Sequence, residues 1–180
     1  DDRRGGRGAD ADGVDGRVHH LKFPDLEVTG DAEPGAIVEL RSWDDNRGRR
    51  QQSLALRSDL SLPGQVTANG ATWLDRQLVA AEPQITGGGF GIEVEQAKIA
   101  RAEHLAEQGL ARRQGTRIIL ARDLISTLRD RELASAATAI AHRSGLDHVS
   151  SDEGDQIKGV YRERVKLASG RFAMIEHAHG

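Results

Sequence analysis

The middle of this chain carries two helical hydrophobic patterns, and each of them ends at a Gly-Leu pair. The first runs from residue 92 to 108 and stops at Gly109-Leu110, which has the form of a left-handed glycine cap followed by its apolar partner. The second begins at Asp123, a residue type that caps helix N-termini, and stops at Gly145-Leu146 in the same way. Between them, residues 111–120 predict two short strands about a Gln-Gly turn. The middle is therefore predicted to be helix, small β-ribbon, helix.

Both flanks of this helical middle show extended patterns. The β-branched pair in residues 36–43 predicts a strand that pairs back with residues 52–57. Residues 160–167 and 172–176 predict a second hairpin near the end of the sequence. A two-stranded piece alone is marginal in water, so we expect the two hairpins to pack on each other. The expected shared core consists of Ile37, Val38, Leu40, Leu54 and Leu56 with Val165, Leu167, Phe172 and Ile175.

These patterns predict an α+β fold, in which small β-barrel-like or β-hairpin units flank a helical, winged-helix-like middle. A short helix is expected over residues 71–79, because Trp73, Leu74 and Leu78 fall on one helical face. The residues that precede it, 58–64, are expected to break the pattern. Four parts are predicted: 1–17 a disordered linker, 18–64 an N-terminal β unit, 65–146 the helical winged-helix-like unit, and 147–180 a C-terminal β-hairpin that packs on the N-terminal β unit.

Composition excludes several classes of protein. The 180 residues contain no cysteine, which excludes disulfides, thiolate metal sites and a cysteine nucleophile. The longest apolar runs fall well short of the roughly 18 residues that a membrane span needs. The net charge of −3 gives no global positive field for nucleic acid. We therefore expect a soluble cytoplasmic protein without a membrane partner.

The beginning of the chain is rich in Asp, Arg and Gly, and such a composition cannot offset the entropy lost on ordering. This is why residues 1–17 are predicted to be a linker. The sequence has no initiator Met and stops just after an apolar strand pattern. We expect it to be a fragment of a longer protein.

Arginines concentrate between residues 109 and 131. This segment contains six arginines and only two aspartates, which gives it a local net charge of +4 in a chain whose overall net charge is −3. A basic ribbon between two helices is the general outline of a winged helix, whose ribbon lies on the phosphate backbone. The alternative is a solvated surface or a protein interface. The candidate phosphate-contacting residues are Arg112, Arg113, Arg117 and Arg122.

Other motifs indicate no chemistry of their own. The glycine run at 87–91 lacks both the Lys-Ser/Thr of a phosphate-binding loop and the spacing of a dinucleotide fingerprint. The pairs His19-His20 and His177/His179 lack a third ligand, so no metal is expected. Tyr161, in an alternating pattern, is interpreted as a half-buried packing residue rather than a nucleophile. We expect no catalytic residue and no cofactor in this chain.

Several strings, read together and in order, resemble the C-terminal region of relaxase/mobilization nucleases of conjugative elements. The most specific are Gly-Ala-Thr-Trp-Leu-Asp-Arg at 70–76 and Ala-Ser-Gly-Arg-Phe-Ala at 168–173. The resemblance covers about residues 18–176 and includes the further strings at 34–41, 57–60, 109–113 and 159–162. Within these motifs, a structural role is expected for Trp73, Asp75, Arg76, Tyr161 and Arg171.

The resemblance implies a setting in plasmid transfer. In such proteins a separate N-terminal domain nicks one DNA strand with a tyrosine and a metal held by histidines. That histidine motif is absent from this sequence, so no catalytic residue is carried over. The resemblance implies a non-catalytic accessory domain, a domain of unknown function that follows the nicking domain, and DNA and other conjugation proteins as its partners. The alternative is a protein-interaction module recognised by the transfer apparatus without DNA contact, and the third possibility is a free-standing nuclease.

Overall fold

The computed structural model describes residues 8–12, 18–22, 32–81, 87–145, 149 and 155–177. Their eight strands form four separate two-stranded antiparallel hairpins, and four helices lie between the second and fourth hairpins. The fold is α+β, as the sequence predicts. The elements are β1 (Gly8–Asp12), β2 (Val18–Lys22), β3 (Ile37–Asp44), β4 (Arg50–Ser58), α1 (Leu62–Val66), α2 (Trp73–Val79), α3 (Phe90–Glu107), β5 (Ala111–Gln114), β6 (Arg117–Leu120), α4 (Leu124–Ser144), β7 (Gly159–Leu167) and β8 (Gly170–His177).

The first hairpin differs from the predicted linker. Strands β1 and β2 pair with Gly8 opposite Lys22, so five residues of the predicted linker form a strand. An antiparallel pair is held by backbone hydrogen bonds, which a composition poor in apolar side chains does not exclude. Residues 1–7 and 13–17 of the predicted linker lie outside the described residues.

The β3–β4 hairpin is closed by an aspartate. The carboxylate of Asp45 accepts hydrogen bonds from the backbone N–H groups of Arg47 and Arg49, each at 2.9 Å. The bond from Arg49 is the main reason why the pKa of Asp45 lies below its ordinary value. Along the strands, Glu39 lies between Arg41 and Arg57, and hydrogen bonds from Arg41 and then Arg57 lower its pKa as well.

Helix α1 lies where the sequence predicts a break. Ser61 caps it by accepting from the backbone N–H of Gly64 at 3.4 Å. Pro63 lies in the first turn, where the missing N–H of a proline costs no intrahelical bond. Residue types that are typical of turns therefore begin a helix here, where the sequence pattern predicted irregular structure.

The two long helices end as the sequence predicts. Gly109 and Gly145 both adopt the left-handed backbone, with φ of 73° and 70°. Helix α3 begins two residues earlier than predicted, at Phe90. Asp123 is the N-terminal cap residue of α4, but its side chain makes no capping hydrogen bond. None of the helices in the described part of the chain has the length and apolarity to cross a membrane.

Two buried apolar clusters hold the helices together. The first joins α3, α4 and the start of the β5–β6 hairpin, and the second joins β3, α1, α2 and α3. The first contains Ala71, Leu105, Leu110, Leu124 and Leu128, and the second contains Ile37, Leu62, Leu74 and Val94.

The expected core shared by the two hairpins is not among these clusters. Ile37 packs with helices instead, because α1, α2 and α3 cover the beginning of β3. Of the described residues in β7 and β8, none belongs to either buried cluster.

Hydrogen bonds and an ion pair attach the β7–β8 hairpin to α4. The carboxylate of Glu132 accepts the backbone N–H groups of Ala168 and Ser169, at 2.7 and 3.0 Å, and Arg143 pairs with Glu163. From residue 132 to 143 a helix rises about 16 Å, and from 168 to 163 a strand advances about as far. The hairpin therefore runs alongside the second half of the helix.

Among the described residues, two ion pairs connect the same hairpin to the N-terminal β unit. Arg171 pairs with Asp59 at 2.6 Å, and Lys166 pairs with Glu33 at 3.1 Å. The two β units are thus linked by ion pairs, and the predicted buried core between them is not among the buried clusters of the described residues.

Candidate functional site

The β5–β6 hairpin, called here the ribbon, presents its two faces to different surroundings. Ala111 is paired with Leu120, and both pack against the first buried cluster. Side chains alternate along a strand, and directly opposed residues share a face. The next pair, Arg112 with Ile119, therefore points away from the cluster, as does Gln114 with Arg117.

All four predicted phosphate-contacting arginines are exposed, but they do not form one patch. Arg112 and Arg117 share the outward face of the ribbon as diagonal neighbours. Arg113 lies on the other face, where its Nη2 atom is 3.3 Å from a carboxylate oxygen of Glu103. The outward face therefore holds two of the four cations.

Arg122 follows the ribbon and lines an open depression of about 340 Å³. Arg129 and the first turn of α4 line the same depression. Asp123 also lies on its wall and reduces the positive charge there. Arg122 is thus adjacent to the ribbon in sequence and belongs to a separate, mixed-charge surface.

The motif residues of α2 divide into buried and exposed. Trp73 is half-buried against the second cluster, Asp75 is fully buried, and Arg76 is exposed. The carboxylate of Asp75 pairs with Arg101 of α3, at 2.8 Å from its Nε. The arginine that Asp75 binds is therefore Arg101 of α3 and not the adjacent motif residue Arg76, and the pair joins two helices.

Arg101 is a charged residue whose side chain is fully buried. It donates to both carboxylate oxygens of Asp75, at 2.8 and 2.9 Å. Its remaining three N–H groups donate to the backbone carbonyls of Val66, Ala68 and Gly70, at 3.1, 2.6 and 3.0 Å. Since a guanidinium has five donors, every one of them is satisfied.

The acceptors of Arg101 are held by a second layer of hydrogen bonds. The other partner of Asp75 is Thr72, whose backbone N–H and hydroxyl both donate to it, at 2.7 and 2.9 Å. Gln65, also fully buried, accepts from the backbone N–H of Leu74 and donates to the carbonyl of Leu60. This network fixes the path of residues 60–75 over α3. Because all five guanidinium donors of Arg101 have acceptors, we assign the network a structural role.

Sequence reasoning missed Arg101, although a signal was present. Val94, Arg101 and Leu105 are spaced by seven and four residues and lie on one helical face. A charged residue in the centre of an apolar stripe indicates a buried partner. That partner, Asp75, lies in the motif that the sequence singled out.

The two motif residues of the C-terminal hairpin differ in exposure. Tyr161 is 58% exposed, and not half-buried as expected. Arg171 is 25% exposed at its side chain and holds Asp59 through two hydrogen bonds, at 2.6 and 2.8 Å. Arg171 thus joins two hairpins, while Tyr161 projects from one.

The described side chains form no candidate metal site. No group of three or more His, Cys, Asp or Glu residues within the described ranges could hold a metal ion. His19 and His20 lie on strand β2, and His179 lies outside the described residues. The absence of a metal and of a cofactor stays a prediction.

One comparison places the chain among known proteins. The family model described as "Protein of unknown function (DUF3363)" matches residues 39–180, which is well over half of the sequence. No curated protein and no solved structure matches it. The chain therefore belongs to the DUF3363 family of proteins of unknown function.

Proposed function

We propose that this chain is a non-catalytic accessory domain of a conjugative relaxase, and that it helps to hold transfer-origin DNA or to assemble the relaxosome in the cytoplasm. The sequence motifs at 70–76 and 168–173 support the setting. The observation that carries the DNA contact is the outward face of the ribbon, where Arg112 and Arg117 are exposed as diagonal neighbours. Guanidinium groups bind phosphate oxygens well, because their planar fork of donors fits them.

The ribbon is suited to backbone contact because its position is fixed. Its inner pair, Ala111 and Leu120, packs on the cluster that also contains Leu105 and Leu128. A ribbon that follows a helix and precedes another, with a rigid base and a basic outer face, supports the winged-helix-like interpretation. Such contacts position a protein on DNA and carry no sequence information by themselves.

The test is the salt dependence of DNA binding by the whole chain. The double change Arg112→Glu with Arg117→Glu is compared with Arg47→Glu with Arg50→Glu, which alters the same charge at exposed arginines of a different hairpin, β3–β4. We expect the ribbon variant to bind a duplex oligonucleotide about tenfold or more weakly at low salt. The slope of log K against log salt should shrink by about two, one for each lost phosphate contact.

Two results would remove the DNA assignment. One is an unchanged affinity and slope in the ribbon variant. The other is an equal loss in the control variant, which would mean that only net charge matters.

A protein-interaction module remains the second candidate, favoured by two observations. Ile119 is 36% exposed on the outward face beside Arg112, and exposed apolar groups among arginines are typical of protein interfaces. Arg113 is engaged with Glu103, which lowers the positive field of the ribbon. Binding of transfer proteins that persists when salt abolishes DNA binding, and that Ile119→Ser weakens, would support this candidate.

A further inference from the structure

The outward face of the ribbon carries four side chains in a compact arrangement. Arg112 is paired with Ile119, and Gln114 is paired with Arg117, so these four share one face. The two arginines occupy one diagonal of this face, and the amide and the apolar side chain occupy the other. All four are exposed, and residues 111–120 contain no acidic residue. The face therefore combines positive charge with an amide and an apolar group.

The three polar side chains of this face have no partner within the described part of the chain. Arg112, Gln114 and Arg117 make no side-chain hydrogen bond or ion pair with another described residue. They differ in this from Arg113 on the opposite face, which is engaged with Glu103. No described carboxylate therefore neutralises the two outward guanidinium groups, and the amide of Gln114 keeps both its donor and its acceptor.

The end of the ribbon is narrow and open. Only Gly115 and Thr116 lie between the paired residues Gln114 and Arg117. Gly115 has a φ of 60°, which a glycine adopts without a steric cost, and a Cβ atom there would meet nothing within 4 Å. A two-stranded ribbon of this kind fits the major groove of B-DNA, which is about 12 Å wide.

We propose that the ribbon enters the major groove of duplex DNA and that Gln114 reads the edge of a base there, with adenine preferred. A glutamine amide matches adenine because it accepts from N6 and donates to N7 at the same time. The guanidinium groups of Arg112 and Arg117, on side chains about 7–8 Å apart at their bases, reach the phosphates that border the groove.

This proposal deepens the proposed DNA contact of the same face and rests on it. Phosphate contacts carry no sequence information, whereas an amide on a base edge does. Ile119 lies on the diagonal of Gln114, where an apolar group can contact the methyl group of thymine. The added consequence is therefore a preference for particular base pairs.

The test is a selection by the whole chain from a pool of duplexes of randomised sequence, followed by sequencing of the bound fraction. We expect the unchanged chain to enrich a motif in which adenine is preferred about tenfold at one position, the discrimination of one bidentate contact. Gln114→Ala should lose the preference at that position alone. Its slope of log K against log salt for the unselected pool should stay the same, because an uncharged side chain releases no counterion.

A second variant and a matched control sharpen this test. Gln114→Arg should change the preferred base at the same position from adenine to guanine, whose O6 and N7 accept from a guanidinium. Gln52→Ala is the control, because Gln52 is an exposed glutamine on strand β4 of another hairpin. It should leave the motif intact. Circular dichroism checks that each variant still folds.

The outcomes separate this inference from the proposed function. If the unchanged chain binds the pool without enriching a motif, and the ribbon variant Arg112→Glu with Arg117→Glu loses that binding, base reading is overturned and the phosphate contact stands. If the ribbon variant binds the pool normally while Gln114→Ala loses the motif, base reading stands and the phosphate contact is removed. A motif that Gln114→Ala keeps, or that Gln52→Ala loses to the same extent, overturns the assignment to Gln114. No binding of the pool by the unchanged chain overturns both.

Discussion

Two arginine-carboxylate pairs in this molecule connect distant parts of the chain, and they do so in different surroundings. Arg101 and Asp75 are fully buried, and backbone carbonyls take the remaining guanidinium donors. Arg171 and Asp59 join the C-terminal hairpin to the end of β4, with side chains 25% and 15% exposed. Water competes for the second pair and is excluded from the first. The helical centre is therefore fixed, while the hairpin is held by contacts that salt can weaken.

The ribbon and the β7–β8 hairpin differ in a similar way. The ribbon stands on the first buried cluster, so its arginines keep a defined position. The β7–β8 hairpin is attached through the bonds of Glu132 and through ion pairs such as Arg143 with Glu163.

The largest expected effect comes from breaking the buried pair. Arg101→Met leaves the carboxylate of Asp75 without its cation and three backbone carbonyls without their donor. We expect a loss of about 3–5 kcal/mol in the free energy of unfolding, measured in urea. Arg76→Met, on the exposed face of α2, should change stability by less than about 0.5 kcal/mol. If both variants lost equally little, the contrast between a buried and an exposed arginine would be gone.

A middle-sized effect is expected where the hairpin meets the helices. A Cβ atom at Gly70 would collide with the carboxylate of Glu132, so Gly70→Ala must push that side chain away from the backbone N–H groups of Ala168 and Ser169. We expect a loss of about 1–2 kcal/mol in urea unfolding.

Two comparisons test the cause of that loss. Adding Gly70→Ala to Glu132→Ala should cost little more than Glu132→Ala alone, because the collision is already removed. Gly88→Ala meets nothing within 4 Å and should cost almost nothing. A double variant that loses the sum of the two single effects would contradict the explanation.

The smallest effect is expected for the ion pairs at the hairpin ends. Arg171→Ala should lower stability by about 1 kcal/mol, because its pair with Asp59 is doubly hydrogen-bonded and three-quarters covered. Lys166→Ala removes an exposed pair with Glu33 and should cost less than about 0.5 kcal/mol. Both differences should shrink in urea unfolding at 1 M salt. A loss for Arg171→Ala as large as that for Arg101→Met would show that solvent exposure does not separate the two regions.

The sequence predicted the elements of the middle well, because their signals are local. Gly109 and Gly145 end their helices through the backbone conformation that a glycine permits, and this needs no distant partner. The β5–β6 ribbon and the β7–β8 hairpin follow from alternation and a turn in the same way. The exposure of Arg112 and Arg117 also follows from the charge pattern.

The failures concern partners that lie far away in sequence. Ile37 was expected against the C-terminal hairpin and packs on helices, because an apolar strand residue carries no mark of what will cover it. Strand β1 and helix α1 form from segments whose composition indicates a linker and a break, since backbone pairing and a proline in a first turn override the average tendency. The partners of Arg101 could not be predicted, because its five acceptors come from residues 66 to 75, far away in the sequence.

By itself, the amino-acid sequence determined an α+β protein with two long glycine-ended helices, a ribbon between them and an arginine-rich surface, since each of these depends on residues within a few positions of one another. Only the tertiary structure decided that Arg101 would be buried on Asp75, that Arg113 would be separated from Arg112 and Arg117, and that Tyr161 would face outward beside Arg164. The physical reason is that burial, charge pairing and the register of a bulged strand depend on which surfaces meet in space, and the order of residues along the chain does not state that.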